Sequence, residues 1–319
     1  MPRVSVIIPA FNAGATMAAT IGSVVAQTFQ DWEVVVGDDA STDDTAQLAR
    51  AIDPRVIAVT AERNGGPAAA RNLAIEHASG ELLAFLDADD LWMPDFLERQ
   101  VANLDAAVEA GRRVGIVACD AEVIGADGSP RGGYLELGGY LDAGGQVGRV
   151  DLRRLLEVNP IFVSAVVPRA VLDDVGVFST ETWGSEDHDL WIRIAERGYE
   201  VVVDPRRLAR YRESEGSVSS SLIGMARTSQ VTYRRALERG NLDGSQRRLA
   251  RRMLRFYTAI EVVETVMARG RPRLAELPGL ARAAVTLAGY GLRHVRRLPV
   301  WLRDLVRGGR APWRTERAG

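Results

Sequence analysis

The stretch AFLDADDLWMP, residues 84–94, runs an apolar Ala84-Phe85-Leu86 into three carboxylates, Asp87, Asp89 and Asp90, and returns at once to Leu91-Trp92-Met93. Acids crowded between apolar segments repel one another unless something neutralises them. A hard divalent cation does so, because hard cations prefer carboxylate oxygen. A cation held by few protein ligands also keeps positions open for phosphate oxygens. Asp87 and Asp89 are two apart and share one side in an extended strand, an arrangement that a turn alters. The plainer explanation is an acid-rich turn or N-cap before a helix opening near Pro94.

Elements that can position these acids precede them in regular alternation. VSVIIP (4–9), EVVVGDD (33–39), RVIAVT (55–60) and ELLAFLD (81–87) read as buried strands. Residues 14–28 carry apolar positions at helical spacing. A helix over 41–52 has Ser41 and Thr42 as N-cap candidates, and the alanine-rich segment opening at Pro67 reads as a third helix. Alternation of this kind predicts a mostly parallel sheet with helices on both faces. Ligands bind such sheets at the carboxyl ends of the strands. Here those ends hold Pro9-Ala10-Phe11-Asn12, Asp38-Asp39 and the 87–90 acids. Beyond residue 94 the pattern loosens. It predicts a helix over 94–110, strands around a turn at Asp127-Gly128, a mobile glycine-rich loop over 132–148, a strand at 161–169, a helix at 186–198 and a strand at 199–204.

The chain has 319 residues, 46% of them hydrophobic, which is enough for a large domain and a smaller one. The net charge of −2 points to no nucleic-acid partner. It hides an asymmetry: residues 225–319 hold 21 arginines and seven acids, a balance of +14, leaving −16 on residues 1–224. All 40 basic residues are arginine. The lone cysteine, Cys119, excludes an internal disulfide and reads as a small core residue. The N-terminal apolar run is too short for a signal peptide, and no stretch has the roughly 18 apolar residues of a membrane span. The expected location is the cytoplasm.

VSVIIPAFNAG, VGDDASTDDT, RNGGPAAARN, FLDADDLWMP and WGSEDHDLWIRI follow one another in that order. Together, over roughly residues 1–215, they resemble the family 2 glycosyltransferases. That resemblance implies the GT-A fold and transfer of a sugar from a nucleotide-sugar, with UDP the default donor, with inversion and with Mn²⁺ or Mg²⁺ as cofactor. It implies that Pro9, Ala10, Phe11 and Asn12 wall the nucleotide, that Asp39 accepts from the base, and that Arg71 lies near the diphosphate. Asp38 then supports its loop. Asp87 and Asp89 become the DxD pair, Asp89 the firmer metal ligand and Asp87 shared with the donor's ribose. Asp187 matches the catalytic base and Glu186 falls on the acceptor side; Trp183 stacks on an acceptor sugar ring or packs on its loop, and His188, just after the pair, takes a local or acceptor-side role. A histidine that follows Tyr-Arg in many relatives is missing after Tyr211-Arg212. Glu213, Glu215 and Ser217 are candidates for that third metal position.

The charge asymmetry and the loss of strands beyond about 225, with the resemblance ending near 215, divide the chain into a catalytic domain over 1–224 and a basic helical region over 225–319. About 1–92 of the former would bind the nucleotide-sugar and 93–224 the acceptor, a glycan, glycolipid or other hydroxyl compound of the cell envelope. A non-catalytic nucleotide-sugar scaffold and a nucleotidyltransferase are the alternatives; the latter lacks a basic, glycine-rich loop after the first strand. In the tail, Leu274, Leu277, Leu280, Ala284, Leu287, Gly291, Val295 and Leu298 recur at helical spacing beside arginines. Two readings stand for it: packing within the protein or as a homodimer, and peripheral docking on an anionic inner membrane face.

Overall fold

The computed structural model describes residues 1–142, 144–213, 222–268 and 276–294. The chain forms two compact units, one of Met1–Tyr134 with Arg149–Glu213, the other of Leu135–Gly148 with Ser214–Gly319.

The first unit opens with β1 (Val4–Ala10), α1 (Gly14–Val25), β2 (Trp32–Asp38), α2 (Thr45–Arg50), β3 (Val56–Thr60), α3 (Pro67–His77) and β4 (Leu82–Phe85). These four strands lie parallel in the order β3-β2-β1-β4. All seven residues of β1 are buried, as a β-branched run covered on both faces should be. The chain continues through β5 (Leu91–Trp92), α4 (Phe96–Glu109), β6 (Val114–Ile124) and β7 (Pro130–Gly133), and then α6 (Leu152–Glu157), β8 (Ala165–Pro168), α7 (Arg169–Val175), α8 (Glu186–Glu196) and β9 (Glu200–Arg212). These strands extend the same sheet with mixed polarity: β8 is antiparallel to β4 and β6, β9 is parallel to β6, and β5 is antiparallel to β9. The result is the mixed α/β sheet of a GT-A protein.

Several elements depart from the sequence expectation. The helix expected from Ser41 begins at Thr45, because Ser41 and Thr42 are engaged elsewhere. The Ser41 hydroxyl accepts from the Asn12 amide, and the Thr42 amide donates to Asn12 Oδ1. The segment 132–148, expected as a loop, contains a helical turn, α5 (Tyr134–Leu137). The strand expected over 199–204 runs on to Arg212, because its charged second half pairs with both β6 and β5.

In the second unit α9 (Leu222–Arg239) packs on α10 (Gly244–Ala268), and α10 on α11 (Leu277–His294). Tyr233 stacks on Tyr257, and Met253, Phe256 and Ile260 are buried. Gly240, at φ +78°, ends α9. Within α11 Ala283 is buried, while Ala284 of the expected stripe is exposed, as is Val285. Leu274, Val295, Leu298 and the segment from Trp301 to Val306 lie outside the described residues. No helix among the described residues is long and apolar enough to cross a membrane.

Candidate active site

The carboxyl edge of the parallel strands is assembled by close backbone approach. A Cβ on Gly37 would lie 2.0 Å from the Ala70 carbonyl oxygen, so only glycine lets α3 ride directly on β2. Ala68, Ala70 and Ala74 are buried on the same helix. This seats Arg71, 3% exposed, beside the end of β4.

After Phe85 the chain leaves the sheet. The Asp90 amide donates to the Asp87 carbonyl at 3.1 Å, so Asp87 and Asp89 stand in a turn and not on an extended strand. The protein itself relieves much of the repulsion among these acids. Arg71 Nη2 donates to Asp87 Oδ1 at 2.6 Å, and Nη1 to Glu186 Oε1 at 2.7 Å. Asp90 is fully buried. Burial, with Asp87 and Asp89 nearby, pushes its carboxyl well above the usual range, so it adds little negative charge. Its Oδ1 accepts from the Arg212 amide at 2.9 Å, and its Oδ2 has no hydrogen-bond partner among the described residues. Asp87 and Asp89, half-buried, are left as hard oxygen donors at the edge.

The edge after β1 and β2 has its own scaffold. Asp39 is buried, and its two oxygens accept from the amides of Gly65 at 2.8 Å and Gly66 at 2.7 Å. Each oxygen keeps a lone pair for a further donor. Asp38 caps the next turn, accepting from the Ser41 amide at 3.2 Å. Pro9 and Ala10 are buried in β1, and Phe11 stands 51% exposed. Asn12 and Ala40 both have positive φ, 49° and 60°. Backbone in this region is strained for non-glycine residues and clusters at functional edges. The Asn12 side chain braces the 41–42 loop, Oδ1 accepting from the Thr42 amide and hydroxyl.

Opposite lies the start of α8. Its first turn carries Glu186, Asp187 and Asp189, where the helix dipole favours negative charge. Asp187 Oδ1 accepts from the His188 amide at 2.7 Å and Oδ2 from Asn159 Nδ2 at 3.0 Å. Burial, then the adjacent Glu186, pushes the Asp187 carboxyl up to about 6. That is the range a general base at neutral pH requires. Glu186, expected at an acceptor hydroxyl, is 6% exposed, and its oxygens have partners within the protein: Oε1 accepts from Arg71 and Oε2 from the Gly184 amide at 2.7 Å. Arg71, expected near the diphosphate or in a salt bridge fixing its helix, has both terminal nitrogens on carboxylates. His188 is buried, and its Nε2 lies 2.7 Å from the Leu155 carbonyl oxygen. Asp189 and Arg193 form a 2.9 Å ion pair.

Trp183 is 49% exposed, and its ring lies where a Cβ on Gly66 would come within 3.1 Å. The loop before α8 therefore touches the turn that holds Asp39. Of the candidates for a third metal position, Glu213 pairs with Arg131 at 3.3 Å, and Glu215 and Ser217 lie outside the described residues. Among the described residues no group of three or more His, Cys, Asp or Glu is placed to hold a metal. The Asp87 and Asp89 oxygens still suit a hard cation whose remaining positions go to phosphate and water. Cys119 is buried in β6, and burial pushes its thiol up, away from reactivity. Sequence reasoning missed Asn159. Its only sequence signal is an Asn-Pro turn, which says nothing about a partner on α8.

The sequence profile described as "Glycosyl transferase family 2" matches residues 5–142. The chain is 30% identical over 236 residues to the putative teichuronic acid biosynthesis glycosyltransferase TuaG of Bacillus subtilis, covering 73% of this chain and 88% of that one. It is 44% identical over 102 residues to the UDP-Glc:alpha-D-GlcNAc-diphosphoundecaprenol beta-1,3-glucosyltransferase WfgD of Escherichia coli, covering 32% of this chain and 40% of that one. Among solved structures, the mannosyltransferase PcManGT from Pyrobaculum calidifontis in complex with GDP-Man and Mn²⁺ superposes with a TM-score of 0.61 at 24% identity, covering 96% of this chain and 79% of that one.

Proposed function

The chain belongs to the family 2 glycosyltransferases, and from that premise we propose that it moves one sugar, with inversion, from a UDP-sugar to an acceptor hydroxyl in cell-surface polysaccharide assembly. The observation that carries the reading is the placement of Asp187 at the start of α8, with its neighbour Glu186 joined through one guanidinium to Asp87. Base and leaving-group acids then belong to one rigid frame.

The Asp187 carboxylate takes the acceptor O–H proton as the oxygen attacks the anomeric carbon, and the nucleoside diphosphate leaves from the opposite face. Arg71 acts as the tie between the two halves. Phe11 offers an exposed ring for the base, Asp39 accepts its imide, and Pro9, Ala10 and Asn12 shape the wall. Trp183 offers an apolar face to the acceptor. A divalent cation held by Asp87 and Asp89, Mn²⁺ or Mg²⁺, would neutralise charge on the departing diphosphate. The Mn²⁺ named with the mannosyltransferase supports this part.

The acceptor side of the proposal is a lipid-linked glycan met at a membrane face. Its support is the diphosphoundecaprenol in the relative's name and the +14 balance over residues 225–319. Catalytic residues lie in the first unit, 1–134 with 149–213, and the basic helices serve docking. A panel of UDP-, GDP- and dTDP-sugars, scored for metal-dependent hydrolysis and then transfer, tests the proposal. Proton NMR of the product reads the anomeric configuration. Retention, or no turnover of any nucleotide-sugar, contradicts it.

A further inference from the structure

We propose that Asn159 is the positioning residue for the base, holding the Asp187 carboxylate in one orientation and in its charged form. The inference rests on Asp187 being the base. Asn159 Nδ2 donates to Asp187 Oδ2 at 3.0 Å. The amide cannot turn over: Asn159 Oδ1 accepts from the Ile161 amide at 3.3 Å, and a flipped amide would set its oxygen against a carboxylate.

The backbone beneath it is also fixed. Pro160 holds the residue before it in an extended conformation. The Tyr134 hydroxyl donates to the Asn159 carbonyl at 3.4 Å. Tyr134 in turn packs against Phe162 and Tyr211, with ring centroids 5.6 and 6.5 Å away, and those two rings touch at 5.4 Å. Asn159 thus stands on an aromatic brace between α6 and β8, and reaches across to α8.

The charges around Asp187 leave this neutral donor a defined task. Glu186, on the same helix, disfavours the carboxylate, and Arg71 from α3 favours it. Asp189 is paired with Arg193. His188 turns to the Leu155 carbonyl of α6, and burial pushes its imidazole down, so it brings no cation to the base. Arg71 is itself shared between Glu186 and Asp87. The His188 amide, then Arg71 and then Asn159 favour the ionised form, and Asn159 is the one side-chain donor on Oδ2 among the described residues, so it sets the direction of that oxygen as well as easing its charge.

The test is the pH profile of kcat/KM for transfer by full-length wild type, Asn159→Ala and Asn159→Asp, with donor affinity measured by calorimetry. In Asn159→Ala the acidic limb should move up by about one pH unit, the worth of a hydrogen bond to a charged group. Turnover at pH 7 should fall about tenfold from lost orientation, with donor Kd unchanged. Asn159→Asp keeps the native shape, which guards against an alanine variant that does not fold. It sets a second carboxylate against the base and should move the limb further. Limbs that stay in place in both variants overturn the role of Asn159 and leave Asp187 as the base. An Asp187→Asn variant with full turnover overturns both.

Discussion

Arg71 and Glu186, 115 residues apart, meet at 2.7 Å in the interior, and the other arm of the same guanidinium holds Asp87. One side chain therefore joins the helix after the third strand, the acid turn after the fourth, and the start of the helix that carries Asp187. A buried ion pair of this kind adds little net stability against an apolar replacement, but losing one partner strands the other charge.

Replacing Arg71 with alanine should therefore destabilise the protein by about 3–5 kcal/mol, because Glu186 loses its counter-charge inside. Arg71→Lys keeps a charge but not the fork, and should lie between alanine and wild type. Urea unfolding of the three proteins measures this. A near-neutral alanine variant would contradict the frame described here.

Asp187 carries a stability cost with a definite sign. Its carboxyl sits at about 6, above the ordinary range, so the folded state holds that proton more tightly than the unfolded chain. Its contribution is favourable below about pH 4 and is lost as pH rises to about 6. Asp187→Asn should thus raise stability by about 1–2 kcal/mol at pH 8, after allowance for partial exposure, and by little at pH 4. Thermal melts at the two pH values decide it; a variant less stable than wild type at pH 8 contradicts the stated environment of Asp187. Wild-type kcat/KM should fall below about pH 6, as the base takes up its proton.

Much of the frame was legible because its signals are local. The buried β-branched runs gave the parallel strands, and the order of polar residues at their ends located the edge. What escaped was set by contacts between distant segments. Ser41 and Thr42 have the chemistry of helix caps, yet Asn12, thirty residues earlier, takes them. The segment DPRRLARYR is too charged and too rich in turn signals to read as strand, and it is one because β6 and β5 flank it. Arg71 has the chemistry of a phosphate binder and of a helix-fixing salt bridge, and only the fold names its carboxylate partners, Asp87 and Glu186. Asn159 shows the same limit, since nothing near it in sequence names Asp187.

Asp89→Ala should remove the dependence of donor binding on Mn²⁺ or Mg²⁺, because Asp87 is already engaged by Arg71 and cannot fix the cation alone. Calorimetric titration of the donor with and without chelator measures it. Wild-type protein that binds and transfers equally well after chelation would rule out the metal role.

The basic tail should bring the full-length chain onto vesicles containing anionic lipid, with binding that weakens as salt rises. Co-sedimentation with neutral and anionic liposomes checks this, and truncation near residue 270 should abolish it. Indifference to anionic vesicles at low salt would return the α9–α11 region to a purely protein-packing role.

The most direct measurement is sugar transfer by Asp187→Asn at saturating donor and neutral pH, alongside calorimetric donor binding by the same protein. The substitution keeps the size of the side chain and removes its basicity. Turnover should fall by about 10²–10⁴-fold, the usual worth of general base catalysis, with donor Kd unchanged. Turnover equal to wild type would contradict the assignment of Asp187 as the base.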